Sequence, residues 1–405
     1  MTGDQHVKTK GEDLEESTTS RRRLPRYAKR IVLVVVGLLV LVYVGAGWYV
    51  SGQIIEEMRV SDSDVVYDTD VLAVGDGEIV LGLPDERDVL FDQDAVMGLR
   101  WEGGYGQVGP VVSATGGTQI RPFTLLEGVS PQLGSDVADF DSFAFTGDPS
   151  SVGVVFETVS YPGPLGDLEA WHVPGDAGTW IIAVHGRRAD RTEFLRMIES
   201  LRDLGHPILA IRYRNDPESP VTEDSLLLFG QEEWEDVAAA ADFAVSRGAT
   251  GVVVHGMSMG GAIALSYAME APPGLVRGLI LEAAPADFRE LIRLRSGEAL
   301  PVGGPIGDSI LAVGRLFVTL RTGLDFDRVD YTERADELDA PVLWLHGTED
   351  TGVLPVIGEQ FADARPDLVE FHPIPDAVHI RAWNEDPDEY RSVLTDFMQR
   401  VDPDR

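Results

Sequence analysis

The chain has 405 residues, with 68 Asp and Glu against 33 Lys and Arg, for a net charge of −35. That balance excludes a nucleic-acid binder working through a basic surface, because phosphate neutralisation needs clustered cations. A hydrophobic share of 44% makes it globular material, and the absence of cysteine excludes thiolate catalysis, disulfides and Cys-based zinc sites.

Residues 1–30 carry the run GEDLEESTTS and read as a disordered cytoplasmic tail. Residues 31–50 then run for twenty positions without a charge. At ~1.5 Å per residue this matches the ~30 Å hydrocarbon core of a bilayer, so the segment reads as a single transmembrane helix. Arg21, Arg22, Arg23, Arg26, Lys29 and Arg30 precede it, whereas Glu56, Glu57, Asp62 and Asp64 follow. The positive-inside rule puts the N-terminus in the cytoplasm and the rest of the chain outside the cell membrane, with the lipid bilayer as partner. Trp48 and Tyr49 sit where an interfacial aromatic belt belongs. A signal peptide is the competing reading. Its apolar region is usually ~7–15 residues, shorter than this one, although Ala46 offers a cleavage position, so retention of the segment stays open.

Residues 51–150 read as a small β-rich accessory region of short strands broken by Gly, Pro and Asp. Hairpins are expected for 71–74 with 78–81 and for 111–114 with 118–121, around Gly75-Asp76-Gly77 and Gly116-Gly117. No cluster of reactive residues marks a site there.

From residue 151 to 402 short apolar runs alternate with helical stretches, the pattern of a mostly parallel sheet covered on both faces. Eight strands are expected, at 152–159, 168–173, 180–184, 208–213, 251–255, 279–282, 342–345 and 368–372. Helices are expected at 191–204, 231–246, 259–269, 356–364 and 387–400. Within this run, VVVHGMSMGGAIAL is a buried strand, the pentapeptide Gly256-Met257-Ser258-Met259-Gly260, and a helix that begins at once. A serine on so tight a turn has its hydroxyl held clear of the backbone, and Gly256 and Gly260 permit the turn.

At these residues the chain resembles the α/β-hydrolase family, and three further stretches fit. WIIAVHG, ending at Gly186, is similar to the strand whose following amide helps form the family's oxyanion hole. The resemblance thus implies the backbone N–H groups of Arg187 and Met259 as oxyanion donors. VLWLHGTEDTGVLP resembles the acid loop and implies Asp350; IPDAVHIRAW resembles the histidine loop and implies His379. The order Ser258, Asp350, His379 is that of the family. Glu349 is the alternative acid and His372 the alternative base. His185, His255 and His346 read as polar ends of buried strands. Two positions depart from the family: Arg187 follows His-Gly, and Asp376 stands where a glycine is common. The Arg187 side chain reads as a solvated rim charge, or else as a group that attracts an acidic substrate.

The resemblance implies an α/β-hydrolase fold with a short lid at about 284–338, whose apolar positions Ile310, Leu311, Val313, Leu316, Phe317 and Leu320 are expected to pack on the sheet first and line the pocket second. It implies a serine hydrolase acting on a small-molecule or peptide acyl substrate, esterase first and peptidase or aminopeptidase second. No metal motif and no cofactor signature is present. A non-catalytic membrane scaffold is the reading from another class, against which the full set of nucleophile, base and acid argues.

Overall fold

The computed structural model describes residues 26–60, 65–82, 91, 93–299 and 304–402; most of the expected tail, residues 1–25, lies outside them. The chain divides into two units, Met1–Ala46 and Gly47–Arg405. Helix α1 (Arg26–Met58) contributes to both. In the first unit its apolar side chains, Leu33 and Leu41 among them, are exposed. The helix is long and apolar enough to cross a membrane, a property that signal sequences share.

The helix does not end with the apolar run. It continues past the segment 31–50, through Ser51-Gly52 and two glutamates, to Met58. The cause is tertiary: Val50, Ile54, Ile55 and Met58 are buried in the main core of the second unit, and that burial overrides the weak helix propensity of Gly52.

The second unit begins with seven antiparallel strands, β1 (Thr69–Gly75), β2 (Glu78–Gly82), β3 (Met97–Trp101), β4 (Gly104–Val108), β5 (Ser113–Thr115), β6 (Thr118–Gly128) and β7 (Gly134–Asp141). Both expected hairpins are present, with Val74 opposite Ile79 and Ala114 opposite Gln119. The order β2-β1-β7-β3-β4-β6 closes because β2 also pairs with β6, which removes two free edges. Val71, Ile79, Leu99, Val108 and Phe140 fill its interior, and the buried Arg121 guanidinium donates to the carbonyls of Phe91 (2.8 Å) and Gln93 (2.7 Å).

An eight-stranded sheet follows: β8 (Glu157–Pro162), β9 (Asp167–Val173), β10 (Thr179–Val184), β11 (Ile208–Ile211), β12 (Gly251–Met257), β13 (Val276–Glu282), β14 (Val342–Gly347) and β15 (Val369–Ile374). Their order is β15-β14-β13-β12-β10-β11-β9-β8, parallel except for β8 and β9. The first strand starts later than expected, because Pro149–Val152 form a 3-10 turn that Asp148 caps. Alternate residues of the central strands enter two cores, as a period of two demands. Ile182, Val184, Val252 and Val254 face one core with α3 (Trp234–Ser246) and α4 (Met259–Glu270). Ile181, Ala183 and Val253 face the other with α2 (Leu195–Asp203) and the C-terminal helix at Pro387–Val401.

The segment expected as a lid forms α5 (Phe288–Ala299) and α6 (Gly304–Thr322), followed in the chain by α7 (Pro355–Ala364), α8 (Ala382–Glu385) and α9, the C-terminal helix. Packing of the α6 apolar face on the sheet is only partly what occurs. Leu311 and Val318 join the core, Leu316 and Leu320 stay exposed, and Phe317 meets Trp48 of α1 edge to face at 5.5 Å.

Candidate active site

Strand β12 is buried along its whole length, and the chain reverses at Ser258 before α4 begins at Met259. Ser258 takes φ 48°, ψ −120°, a strained conformation for a residue with a Cβ. A Cβ on Gly256 would collide with the Gly260 carbonyl, and one on Gly260 with the Val184 carbonyl, so both positions require glycine. The Ser258 N–H donates to the Glu282 carbonyl (2.8 Å), which ties the turn to β13. The hydroxyl is half-buried and open to the cavity described below.

His379 lies on the loop after β15, with Nε2 2.9 Å from Ser258 Oγ and Nδ1 2.8 Å from Asp350 Oδ2. Asp350, on the loop after β14, is 2% exposed, so its environment decides its charge. Burial pushes its pKa up, but hydrogen bonds from His346, His379 and the Val353 N–H outweigh that and hold it at about 2. Oδ1 also accepts from Gly352 N–H (2.8 Å). An ionised Asp350 assigns the imidazole proton to Nδ1, leaving Nε2 as an acceptor towards the serine hydroxyl.

The alternatives lie elsewhere. Glu349 is exposed, and His372 pairs with Glu389 at 3.2 Å on the outer strand. His185 is buried against Asp216 (2.8 Å); burial lowers its pKa, but the carboxylate prevails and raises it to about 9. His255 is driven down to about 3 by burial and then by the Arg196 charge. His346 is more than a strand end. Its Nε2 donates to the Val353 carbonyl (2.8 Å) and stands 3.4 Å from Asp350 Oδ2, so it positions the acid loop. Its place four residues before Asp350 was the only sequence signal.

The Gly186 N–H is taken by Glu193 (2.9 Å). Among the described residues, the next amide, Arg187 N–H, and the Met259 N–H meet no protein acceptor. A Cβ on Gly186 would lie 3.3 Å from Ser258 Cβ, so this loop is adjacent to the serine. The Arg187 side chain is not a solvated rim charge. It donates to the Glu57 carbonyl (2.8 Å) and carboxylate (2.9 Å), engaging the end of α1. Asp376 takes φ 61°, the left-handed conformation usual for glycine, and its N–H donates to Thr348 Oγ1 (3.0 Å).

Ser258 and His379 open into a cavity of about 470 Å³, within the ~300–1,000 Å³ typical of small-ligand sites. Tyr49, Val50, Gln53 and Ile54 of α1 line it together with Phe288, Leu291 and Leu311 of α5 and α6. Among the described residues, no three His, Cys, Asp or Glu side chains stand together as a metal site.

A family model described as the alpha/beta hydrolase family matches residues 181–404. The uncharacterized protein YqkD of Bacillus subtilis is 23% identical over 239 residues, covering 58% of this chain and 76% of its own. The Pyrococcus furiosus esterase Pf2001 superposes with a TM-score of 0.50 at 18% identity, over 63% of this chain and 96% of that one. The latter likeness speaks for the fold.

Proposed function

The chain belongs to the alpha/beta hydrolase family, and from that premise we propose that it is a serine hydrolase that cleaves an ester through an acyl-enzyme on Ser258. The observation that carries the reading is the unbroken chain from Asp350 to His379 to Ser258, at 2.8 and 2.9 Å. A free serine hydroxyl is almost wholly protonated at neutral pH and attacks poorly. His379 Nε2 takes its proton as the Oγ–C bond forms, and the ionised Asp350 stabilises the imidazolium that results. The tetrahedral oxyanion is received by the free amides of Arg187 and Met259, where one lost donor typically costs ~3–4 kcal/mol. Collapse breaks the C–O bond, and the imidazolium protonates the departing alkoxide. Water then repeats the sequence on the acyl-enzyme and releases the acid.

An ester is favoured over an aminoacyl-amide because the latter's ammonium needs a carboxylate in the cavity. Glu57, the one acidic residue among the described lining, is engaged by Arg187. A fluorophosphonate probe tests the reading: it should label the wild type and not Ser258→Ala, and an unlabelled wild type overturns it. Short p-nitrophenyl esters beside aminoacyl-amides test the leaving group, and turnover of amides alone overturns the ester assignment.

We further infer that α1 is a retained anchor, with the hydrolase unit outside the cell membrane. The support is its twenty uncharged residues and the six cations that precede them. Intact mass of the membrane-extracted protein should include residues 1–46, and protease shaving of whole cells should remove the hydrolase unit. Loss of the segment or protection of the unit overturns this.

A further inference from the structure

The wall that α1 lends to the cavity has a regular spacing. Tyr49, Val50, Gln53, Ile54 and Glu57 fall at i, i+1, i+4, i+5 and i+8, one stripe of a helix, and all five line the space beside Ser258. Ser51, Ile55 and Met58 are buried on the other side of the same turns. The stripe is therefore held in position and presented to the cavity.

Three attachments hold it. A Cβ on Gly47 would collide with Val313, and one on Gly314 would lie 2.8 Å from Val50 Cγ1, so glycine on each helix allows α1 and α6 to cross closely. Arg321 donates to Ser51 Oγ (2.7 Å) with its guanidinium 4.4 Å from the Trp48 ring. At the far end the Arg187 pair with Glu57 and the bond from Leu227 N–H to the Met58 carbonyl (2.8 Å) close the contact.

Phe288, Leu291, Ile292 and Leu311 line the same cavity, with Phe288 stacked on Phe229. This space, the slot, has a mostly aliphatic and aromatic lining, with Ser258, His379, Gln53, Glu57, Arg187 and Arg295 also along it. Most of the lining residues are apolar and Glu57 is engaged by Arg187, an environment that suits a hydrocarbon chain, which needs no polar partner. Resting on the serine-hydrolase reading above, we propose that the substrate is an ester bearing an aliphatic chain that lies in this slot, and that residues 49–57 of α1 determine how long a chain is accepted. Tyr49 and Val50 are also the last residues of the segment 31–50 read as membrane-spanning. The same chain chemistry reaches the slot from a bilayer lipid or from a dissolved ester.

The test uses the full chain in phosphatidylcholine nanodiscs. Dissolved p-nitrophenyl esters from acetate to octanoate form one arm, and phosphatidylcholine vesicles carrying monooleoylglycerol form the other. Burial of each methylene is expected to raise kcat/KM by about fourfold, so burial of even about two of octanoate's extra methylenes should make it exceed acetate by at least about tenfold. Gln53→Trp, at an exposed position that lines the slot, should fill it and lower the octanoate-to-acetate ratio by about tenfold or more, with the melting temperature as a check on folding. Val50→Phe is a second filling variant should the first not fold. A flat chain-length profile in a wild type still labelled at Ser258 overturns the slot and leaves the hydrolase reading intact; absence of labelling overturns that reading itself. A ratio unchanged by either folded variant also overturns the proposal. Hydrolysis of the dissolved esters that rises with chain length, or hydrolysis of the monooleoylglycerol in vesicles, supports the slot and identifies the source, and hydrolysis in neither arm overturns it.

Discussion

The two sides of the cavity are built in different ways. Its reactive base consists of turns at the C-terminal ends of β10, β12, β14 and β15, where backbone geometry is fixed within narrow limits. Ser258 holds φ 48°, and a Cβ at Gly260 would strike the main chain of β10. The part that α1 lends, Tyr49, Val50, Gln53, Ile54 and Glu57, is an ordinary helical stripe that needs only the right size and polarity at each position. The first kind of requirement leaves a motif; the second leaves composition. Substitution should therefore behave differently on the two sides.

The largest effect is expected at the base. Ser258→Ala removes the attacking atom and should lower kcat by about 10⁴- to 10⁶-fold with the melting temperature nearly unchanged, measured on p-nitrophenyl acetate. Asp350→Asn keeps the shape but lets the imidazole adopt the wrong tautomer, and should lower kcat by about 10⁴-fold. Asp350 also links activity to stability. Its folded pKa, about 2, is below the ordinary 3.8, so the stabilisation is fully present above the unfolded value and is lost as pH falls through about 2. The difference amounts to about 2–3 kcal/mol, and denaturant midpoints of wild type and Asp350→Asn should converge between pH 4 and pH 2.

This contrast also explains what the sequence disclosed. The eight strands, their order of appearance and the positions Ser258, Asp350 and His379 were legible, because buried parallel strands read as apolar runs and their terminal turns carry glycine. The closure of the N-terminal sheet was not. It depends on pairings such as Thr69 with Ala138 and Val80 with Ile120, which no local signal announces. Residues 51–58 were likewise illegible as helix, since Ser51-Gly52 and two glutamates read as the end of one. Only the burial of Ile54, Ile55 and Met58 makes them helical. The roles of Arg196 and Asn384 belong to this class too. Arg196 donates to the Ile380 carbonyl (3.0 Å) and to Asn384 Oδ1 (2.6 Å), and Asn384 donates to the Val96 carbonyl (2.6 Å). The loop that carries His379 is thereby fastened to the N-terminal sheet, a contact spanning almost three hundred residues of sequence.

A pair of glycine substitutions sharpens the comparison. Gly260→Ala sets a Cβ against the Val184 carbonyl, in a place with no flexible neighbour to move, and should cost about 3 kcal/mol or more along with activity. In the wall, Gly52→Ala meets nothing nearer than Arg321 Nη1 at 4.0 Å. A glycine in a helix interior is unfavourable relative to alanine, so this change should stabilise the protein by about 0.5–1 kcal/mol and leave the hydrolysis of acetate esters as it was. Chemical denaturation of both variants checks the pair; equal destabilisation would contradict the distinction drawn between base and wall.

Arg187 is where the two sides join, since its amide is a proposed oxyanion donor and its side chain grips the end of α1. Burial lowers the guanidinium's pKa, as does Arg188, and Glu57 opposes both. Glu57→Gln removes that opposing charge and leaves a neutral acceptor in its place. The Glu57 side chain is 55% exposed, so solvent screens the pair and the loss of stability should stay below about 1 kcal/mol. The consequence for rate is more informative. If the ion pair fixes the loop that presents the Arg187 amide, its loss should lower kcat by about two- to fivefold for acetate and octanoate alike, and wild type at high salt should approach the variant. A change confined to octanoate would instead mean that the pair holds only the wall, and that the loop carrying Arg187 is positioned independently by Glu193 through the Gly186 amide.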